Sequence, residues 1–263
     1  VAMVVTPGQM LTGMQILVLA FAVLMSAGSA GAFNQYFEVD LDSVMYRTKD
    51  RPFVTGSFNK SPFWLLFIIS LLVIGVGSAA IYLNNVAALY IFLGAFFYGI
   101  IYTVLLKRRT WMNIVIGGAA GSFAVLAGAA AVDPTLSPIP ILLAMVLFFW
   151  TPSHFWSLAI AKHRDYAKAG VPMLPVVIGD KRTAVVVLGN TLILVALSIM
   201  PFFYGLSWLY LAGAVSGGAY FIYQNIKMIT EPTPQIAMKG FFASLVQLVL
   251  LLAGAVLDVL LLA

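Results

Sequence analysis

Eight stretches of this chain run for about twenty residues with scarcely a charge, a pattern that few folds can accommodate. They lie at roughly 9–33, 61–83, 86–106, 113–132, 138–161, 184–205, 207–226 and 240–262. As a helix rising 1.5 Å per residue, each reaches across the ~30 Å of hydrocarbon in a bilayer. The apolar residues are continuous rather than alternating, which indicates helices and not a β-barrel. Only 9% of the 263 residues are charged, where soluble domains carry about 25%. The expectation is an all-α polytopic membrane protein with eight transmembrane helices and one domain over residues 1–263.

The loops alternate in character. Four of them, at 34–60, 107–112, 162–183 and 227–239, hold all fourteen lysines and arginines. The connectors at Asn84–Asn85, Asp133–Ser137 and Gly205–Leu206 hold none. With eight spans the four basic loops fall on one side, which the positive-inside rule makes cytoplasmic, or the matrix side in a mitochondrion. The formal charge of +5 is therefore a topology signal, and no nucleic-acid partner is expected. Asp133 and Asp258, near the opposite side, read as interface residues without a special role. There is no cysteine, so disulfides and thiolate metal sites are excluded. No basic n-region or A-x-A-like site marks a cleavable signal, and the compact loops lean towards a bacterial plasma membrane.

One loop departs from the character of the rest. Asn34 to Pro52, NQYFEVDLDSVMYRTKDRP, holds four of the nine acidic residues: Glu38, Asp40, Asp42 and Asp50. Read as helix, Asn34, Glu38, Asp42 and Met45 share one face, so three oxygen-bearing side chains form half a cage for a hard cation. Asp40, Arg47 and Arg51 fall on another side, where two guanidiniums can hold a phosphate while the carboxylate orients them. Together they indicate a divalent metal shared with a phosphorylated ligand, against the plainer reading of a solvated connector.

A weak echo follows about 130 residues later in KHRDYAKAGVPMLPVVIGDKRT, residues 162–183. Internal repetition of this kind would set the two acidic loops face to face over one cavity. His154, in WTPSHFWSL, is an ionisable residue at membrane depth, either a functional group or a partner for a neighbouring helix. His163 reads as a surface residue. Lys107, Arg108 and Arg109 are a lipid-headgroup anchor or, turned inward, a diphosphate clamp. Asn113 and the run GGAAGS, Gly117 to Ser122, signal close helix packing. Phe97, Tyr98, Phe149, Trp150, Phe155 and Trp156 are either lipid-facing or the lining of an apolar pocket.

The pattern N-x-x-x-E-x-D-x-D-x-x-x-x-R-T-x-x-R-P at Asn34–Pro52 resembles the first aspartate-rich motif of the UbiA-like intramembrane prenyltransferases. YTVLLKRRTWMNIVIGGAAGS, TPSHFWSLAI and DYAKAGVPMLPVVIG narrow the resemblance to the haem-farnesylating branch of that family, and together the motifs span nearly the whole chain. The resemblance implies a nine-helix bundle with a central cavity open to lipid, of which this chain holds eight helices. Residues 1–8 read as the tail of the family's first helix. Asn34, Glu38 and Asp42 would be the Mg2+ positions, with Asp40, Arg47 and Arg51 beside them in catalysis. Lys107, Arg108 and Arg109 would bind diphosphate, with Asp165 and Lys168 in the second loop and His154 as a haem contact. Glu38 stands where the general pattern has Asp, and Ala169 where many members carry the second Asp of D-x-x-x-D.

The implied reaction moves farnesyl from farnesyl diphosphate to a vinyl group of haem B, with capture of water, and its product would pass to a haem A synthase. Tyr36, Tyr166 and His154 are the residues that could deliver the water. Two other classes stay open from the sequence. A relative acting on a quinone-type acceptor would keep the metal and diphosphate residues, and a transporter would use the charged loops as a gate. The charges stop at one membrane edge, which favours an enzyme.

Overall fold

The computed structural model describes residues 1–262, and among them there is helix and no strand. The helices in chain order are α1 (Ala2–Val5), α2 (Gly13–Phe37), α3 (Val39–Val44), α4 (Pro52–Thr55), α5 (Pro62–Tyr82) and α6 (Asn85–Phe96), which runs on as a π-helical segment, Phe97–Leu106. After it come α7 (Asn113–Gly117), α8 (Ala119–Ala130), α9 (Pro138–Ala161), α10 (His163–Lys168), α11 (Leu174–Ile178) and α12 (Asp180–Ile199), which ends in a 3-10 turn, Met200–Tyr204. Last are α13 (Trp208–Thr230) and α14 (Pro234–Leu262).

Seven helical stretches among the described residues are long and apolar enough to cross a membrane, where the sequence reading expected eight. The difference is α13. At 23 residues it has crossing length, but its C-terminal half carries Gln224, Asn225 and Lys227; Asn225 Nδ2 donates to the Thr191 hydroxyl at 2.8 Å, and Lys227 is exposed. The first long span is also shifted from its expected place. Thr12 and Gln15 form a reciprocal capping box that starts α2 at Gly13, and the helix runs on to Phe37. Asn34 therefore sits in the last turn of a membrane helix and not in a loop.

The long helices alternate in direction and close on one another. α2 packs along α5, α6 lies on α8, α9 is wedged against α8, α12 and α14, and α13 runs along α14. The α13–α14 seam depends on missing side chains. A Cβ on Gly213 would stand 2.5 Å from the Leu250 carbonyl oxygen, and one on Gly217 would stand 2.8 Å from Gln247 Cα. Where lipid removes the hydrophobic drive between helices, such close approach of backbones supplies the dispersion contacts that hold them.

Asp258 has a definite job that the sequence did not reveal. Its carboxylate, on α14, accepts the backbone N–H of Ser207 (2.9 Å) and of Tyr210 (3.2 Å) and the Ser207 hydroxyl. It thus caps the first turn of α13 from a neighbouring helix, at the positive end of that helix's dipole. Asp258→Ala should cost about 1–2 kcal/mol, the range for a lost N-cap. Thermal unfolding in detergent checks this, and an unchanged midpoint would show that water replaces the cap.

Candidate active site

The charged end of the bundle is built around the break between α2 and α3. Helical hydrogen bonding continues across it, Glu38 N–H to Asn34 O at 3.0 Å and Asp42 N–H to Glu38 O at 2.8 Å. The i, i+4, i+8 spacing of Asn34, Glu38 and Asp42 is thereby kept, and all three are buried, at 3%, 0% and 1% exposure. The chain leaves helical geometry at Met45, whose backbone is extended.

Cations meet these carboxylates. The Arg51 guanidinium donates to Asp42 Oδ2 at 2.6 Å and to Asn34 Oδ1 at 3.3 Å. Glu38 Oε2 accepts from Asn34 Nδ2 at 2.7 Å and from the Lys107 ammonium. Burial pushes the Lys107 ammonium below its ordinary value, while the Glu38 carboxylate acts in the opposite direction. Glu38 Oε1 is fully buried and has no donor. A bare carboxylate oxygen in the interior is costly, and two carboxylates beside an amide oxygen are the donor set that Mg2+ shares with a phosphate. The residues fit a divalent cation.

Lys107 reaches this place because of the π-helical segment. In an α-helix the nine steps from Tyr98 to Lys107 would turn the lysine to about the opposite face. Bonded i to i+5, as in Lys107 N–H to Tyr102 O at 2.9 Å, the same nine steps make roughly two turns, and both residues line one cavity. The Thr103 hydroxyl donates to the Tyr98 carbonyl at 2.9 Å, supplying a bond within the widened turn. Asn113 Nδ2 donates to the Lys107 carbonyl at 3.3 Å and so ties down the loop that follows.

That cavity has a volume of about 470 Å³. Asn34, Asp42, Arg47, Arg51 and Lys107 line its mouth. Its inner wall is aromatic and aliphatic, with Tyr98, Tyr102, Trp150 and Phe155. Gly117, Gly118 and Gly121, read from the sequence as packing residues, form part of the wall, and a Cβ on Gly117 would stand 2.7 Å from the Tyr102 ring. The small residues make room for the cavity and for the tyrosine that borders it. Two further apolar spaces adjoin: one of about 310 Å³ shares Tyr98 and Ala120 with the main cavity, and one of about 550 Å³ shares Gly121 and Leu147.

Several expected site residues stand elsewhere. Asp40 was grouped with Arg47 and Arg51, but it faces solvent and holds Arg108 through two hydrogen bonds of 2.7 Å. Helical spacing puts it on the opposite side of α3 from the buried Asp42, and Arg51 folds back to Asp42 after the chain leaves the helix at Met45. The Arg108 guanidinium draws the Asp40 carboxyl down to about 2, so this pair persists at every ordinary pH. Arg109 is exposed, which leaves Lys107 as the inward member of the basic run.

The second loop meets the first through Tyr166 and not through its acids. The Tyr166 hydroxyl lies beside Arg47, and burial raises it above its ordinary value. Asp165 lines a separate surface depression with His163 and Asp180, whose side chains bond at 2.7 Å, and Lys168 is exposed. The expected pairing of two acidic loops across one cavity is therefore corrected: α10 presents alternate faces to cavity and surface, and Tyr166 occupies the inner one.

His154 lies between α9 and α14. Its ring is stacked between Trp150 and Phe241, at centroid distances of 4.1 and 4.2 Å, and Nδ1 bonds the Ser244 hydroxyl at 2.6 Å. It does not line the cavity but backs Trp150, whose indole N–H donates to the Ser244 carbonyl at 2.8 Å. Tyr36 packs edge-on against Phe53, beneath Lys60. Tyr98, Trp150 and Phe155, read from the sequence as either lipid-facing or pocket-lining, line the cavity, and Tyr102 is the aromatic of its wall that sequence reasoning missed. Only its five-residue spacing from Lys107 could have signalled it, and that spacing has meaning only in π geometry.

The model of the UbiA prenyltransferase family matches residues 1–253. The chain is 54% identical over 256 residues to protoheme IX farnesyltransferase 2 of Paramagnetospirillum magneticum, covering 97% of this chain and 89% of that one. Its fold is similar to that of a digeranylgeranylglyceryl phosphate synthase, with a TM-score of 0.83, 18% identity, and coverage of 98% and 90%. It is also similar to a UbiA homolog from Archaeoglobus fulgidus bound to GPP and Mg2+, with a TM-score of 0.68, 17% identity, and coverage of 93% and 88%.

Proposed function

Since this chain belongs to the UbiA prenyltransferase family, we propose that it transfers farnesyl from farnesyl diphosphate to a vinyl group of haem B, with addition of water, to give haem O. The observation that carries the reading is a mouth of buried oxygen ligands and inward cations opening directly onto an apolar, aromatic cavity. The name of the 54% identical relative supports haem as the acceptor. By the positive-inside rule the mouth faces the cytoplasm.

Asn34, Glu38 and Asp42 would hold Mg2+, which would supply neutralisation of the charge on the leaving group. Arg47, Arg51 and Lys107 would hold the diphosphate as the allylic C–O bond breaks. The diphosphate departs with the bonding electron pair, and the π faces of Tyr98 and Tyr102 border the space where the farnesyl cation forms. The vinyl group of haem B attacks that cation. The new cation beside the porphyrin takes up water, which loses a proton. Tyr166 is the one of the three water-positioning residues that lines the cavity, and with Arg47 beside it its hydroxyl can orient that water. The aliphatic inner wall keeps water from the first cation.

The test is to incubate the purified protein in detergent with haem B, farnesyl diphosphate and Mg2+ and to weigh the product. One farnesyl plus one water added to haem B, abolished by a chelator, is the expected result. Consumption of farnesyl diphosphate only with a phenolic or quinone-type acceptor would retain the transferase and remove haem from the reading.

A further inference from the structure

Each carboxylate at the mouth has a protein cation of its own. The Lys107 ammonium lies on Glu38 Oε2, and the Arg51 guanidinium lies on Asp42 Oδ2 at 2.6 Å. The Lys107 side chain is 11% exposed and that of Glu38 not at all, so water screens this contact poorly. Arg51 also donates to Asn34 Oδ1 at 3.3 Å. All three side chains that fit a divalent cation thus already have a cationic nitrogen on one of their oxygens.

We propose that Lys107 and Arg51 are exchangeable counter-ions: they neutralise the ligand oxygens, leave them when a divalent ion binds, and by that move become available to the diphosphate. The inference rests on the metal set of the proposed function. Three observations favour exchange over simple addition of an ion. The formal charges match, since Lys107 and Arg51 together carry what one divalent cation carries. Exchange keeps the buried cluster neutral, whereas addition would set surplus positive charge among groups that water screens little. Lys107 and Arg51 line the cavity mouth together with Asn34 and Asp42, so both already border the space a diphosphate would enter. Lys107 Nζ stands 5.6 Å from the centroid of the Tyr102 ring, a second favourable contact on the cavity side. Glu38 Oε1, which has no donor, gives the incoming ion a first oxygen while Oε2 is still held.

Exchange couples the two ligands. An ion alone must drive an ammonium into a mouth with no anion to receive it, and a diphosphate alone finds its cations engaged. Each ligand therefore raises the affinity of the other, by the same factor.

The measurement is a titration of the purified protein in detergent with Mn2+, without diphosphate, following the electron paramagnetic resonance signal of the free ion. Lys107→Met should bind Mn2+ about tenfold more tightly than the unsubstituted protein, within the usual range of coupling between two ligands. Lys227→Met, which removes the same charge from an exposed position on α13, should bind it as the unsubstituted protein does. Arg51→Met should shift the affinity in the same direction as Lys107→Met, and it carries the test if that variant does not fold.

Unchanged or weaker Mn2+ binding by these two variants, with binding still lost in Asp42→Ala, overturns the exchange and leaves the cations as structural ties. Equal tightening in Lys227→Met also overturns it, because net charge alone would then account for the effect. Mn2+ binding that persists in Asp42→Ala overturns the metal set of the proposed function, and the exchange with it.

Discussion

Asp42→Ala is expected to lower kcat/KM for prenyl transfer by about three orders of magnitude while the protein still folds. One lost donor to a developing anion typically costs 10²–10³ in rate, and two effects combine here. The substitution removes a carboxylate, 1% exposed, from the proposed metal ligands. It also frees the Arg51 guanidinium, which bonds Asp42 Oδ2 at 2.6 Å and Asn34 Oδ1 at 3.3 Å. A half-buried cation without its partner moves towards solvent or another acceptor, so the diphosphate clamp loses its geometry as well. Steady-state kinetics with farnesyl diphosphate and haem B, together with the elution profile in detergent, measure both sides. Activity within tenfold of the unsubstituted enzyme would remove Asp42 from the metal set.

Gly213→Ala is expected to destabilise the bundle more than any single change outside the mouth, although it adds one methyl group. The added Cβ would stand 2.5 Å from the Leu250 carbonyl oxygen, and backbone cannot swing aside as a side chain can. α13 and α14 must move apart over much of their seam, and Gly217 against Gln247 loses its approach with them. Overpacking of this kind costs about 1–3 kcal/mol in soluble cores. The upper part of that range is expected here, because separated helices expose packing that lipid does not replace in kind. Thermal or denaturant unfolding in detergent would record it as a lowered midpoint. An unchanged midpoint would mean that the α13–α14 seam is looser than its atoms indicate.

Much of the fold was legible because a bilayer leaves few options to an apolar run. The helical class, the side that bears the charges, and the shared face of Asn34, Glu38 and Asp42 all follow from periodicity and charge placement. α13 was expected as the span 207–226 and a helix forms there, but Gln224, Asn225 and Lys227 leave its C-terminal half too polar to count among the apolar crossing stretches. Asp40 and Asp165 lie on the outer faces of α3 and α10, beside the inward Asp42 and Tyr166, and residue spacing alone does not say which face of a short helix turns inward. Asp258 looked idle because the N–H groups it receives come from a different helix. Tyr102 went unassigned because the widened turns that aim it leave no compositional trace.

Those widened turns make the third span a phase shifter. In a regular helix, the end that carries Lys107 would face according to how many residues precede it; here that facing depends on where the ten residues Phe97–Leu106 take up i to i+5 bonding. A change of side chain within the segment leaves the lysine aimed as before, whereas the gain or loss of one residue would rotate the whole cationic end relative to Glu38. The segment is thus more sensitive to its count of residues than to their identity, the reverse of what holds for the packed seam between α13 and α14.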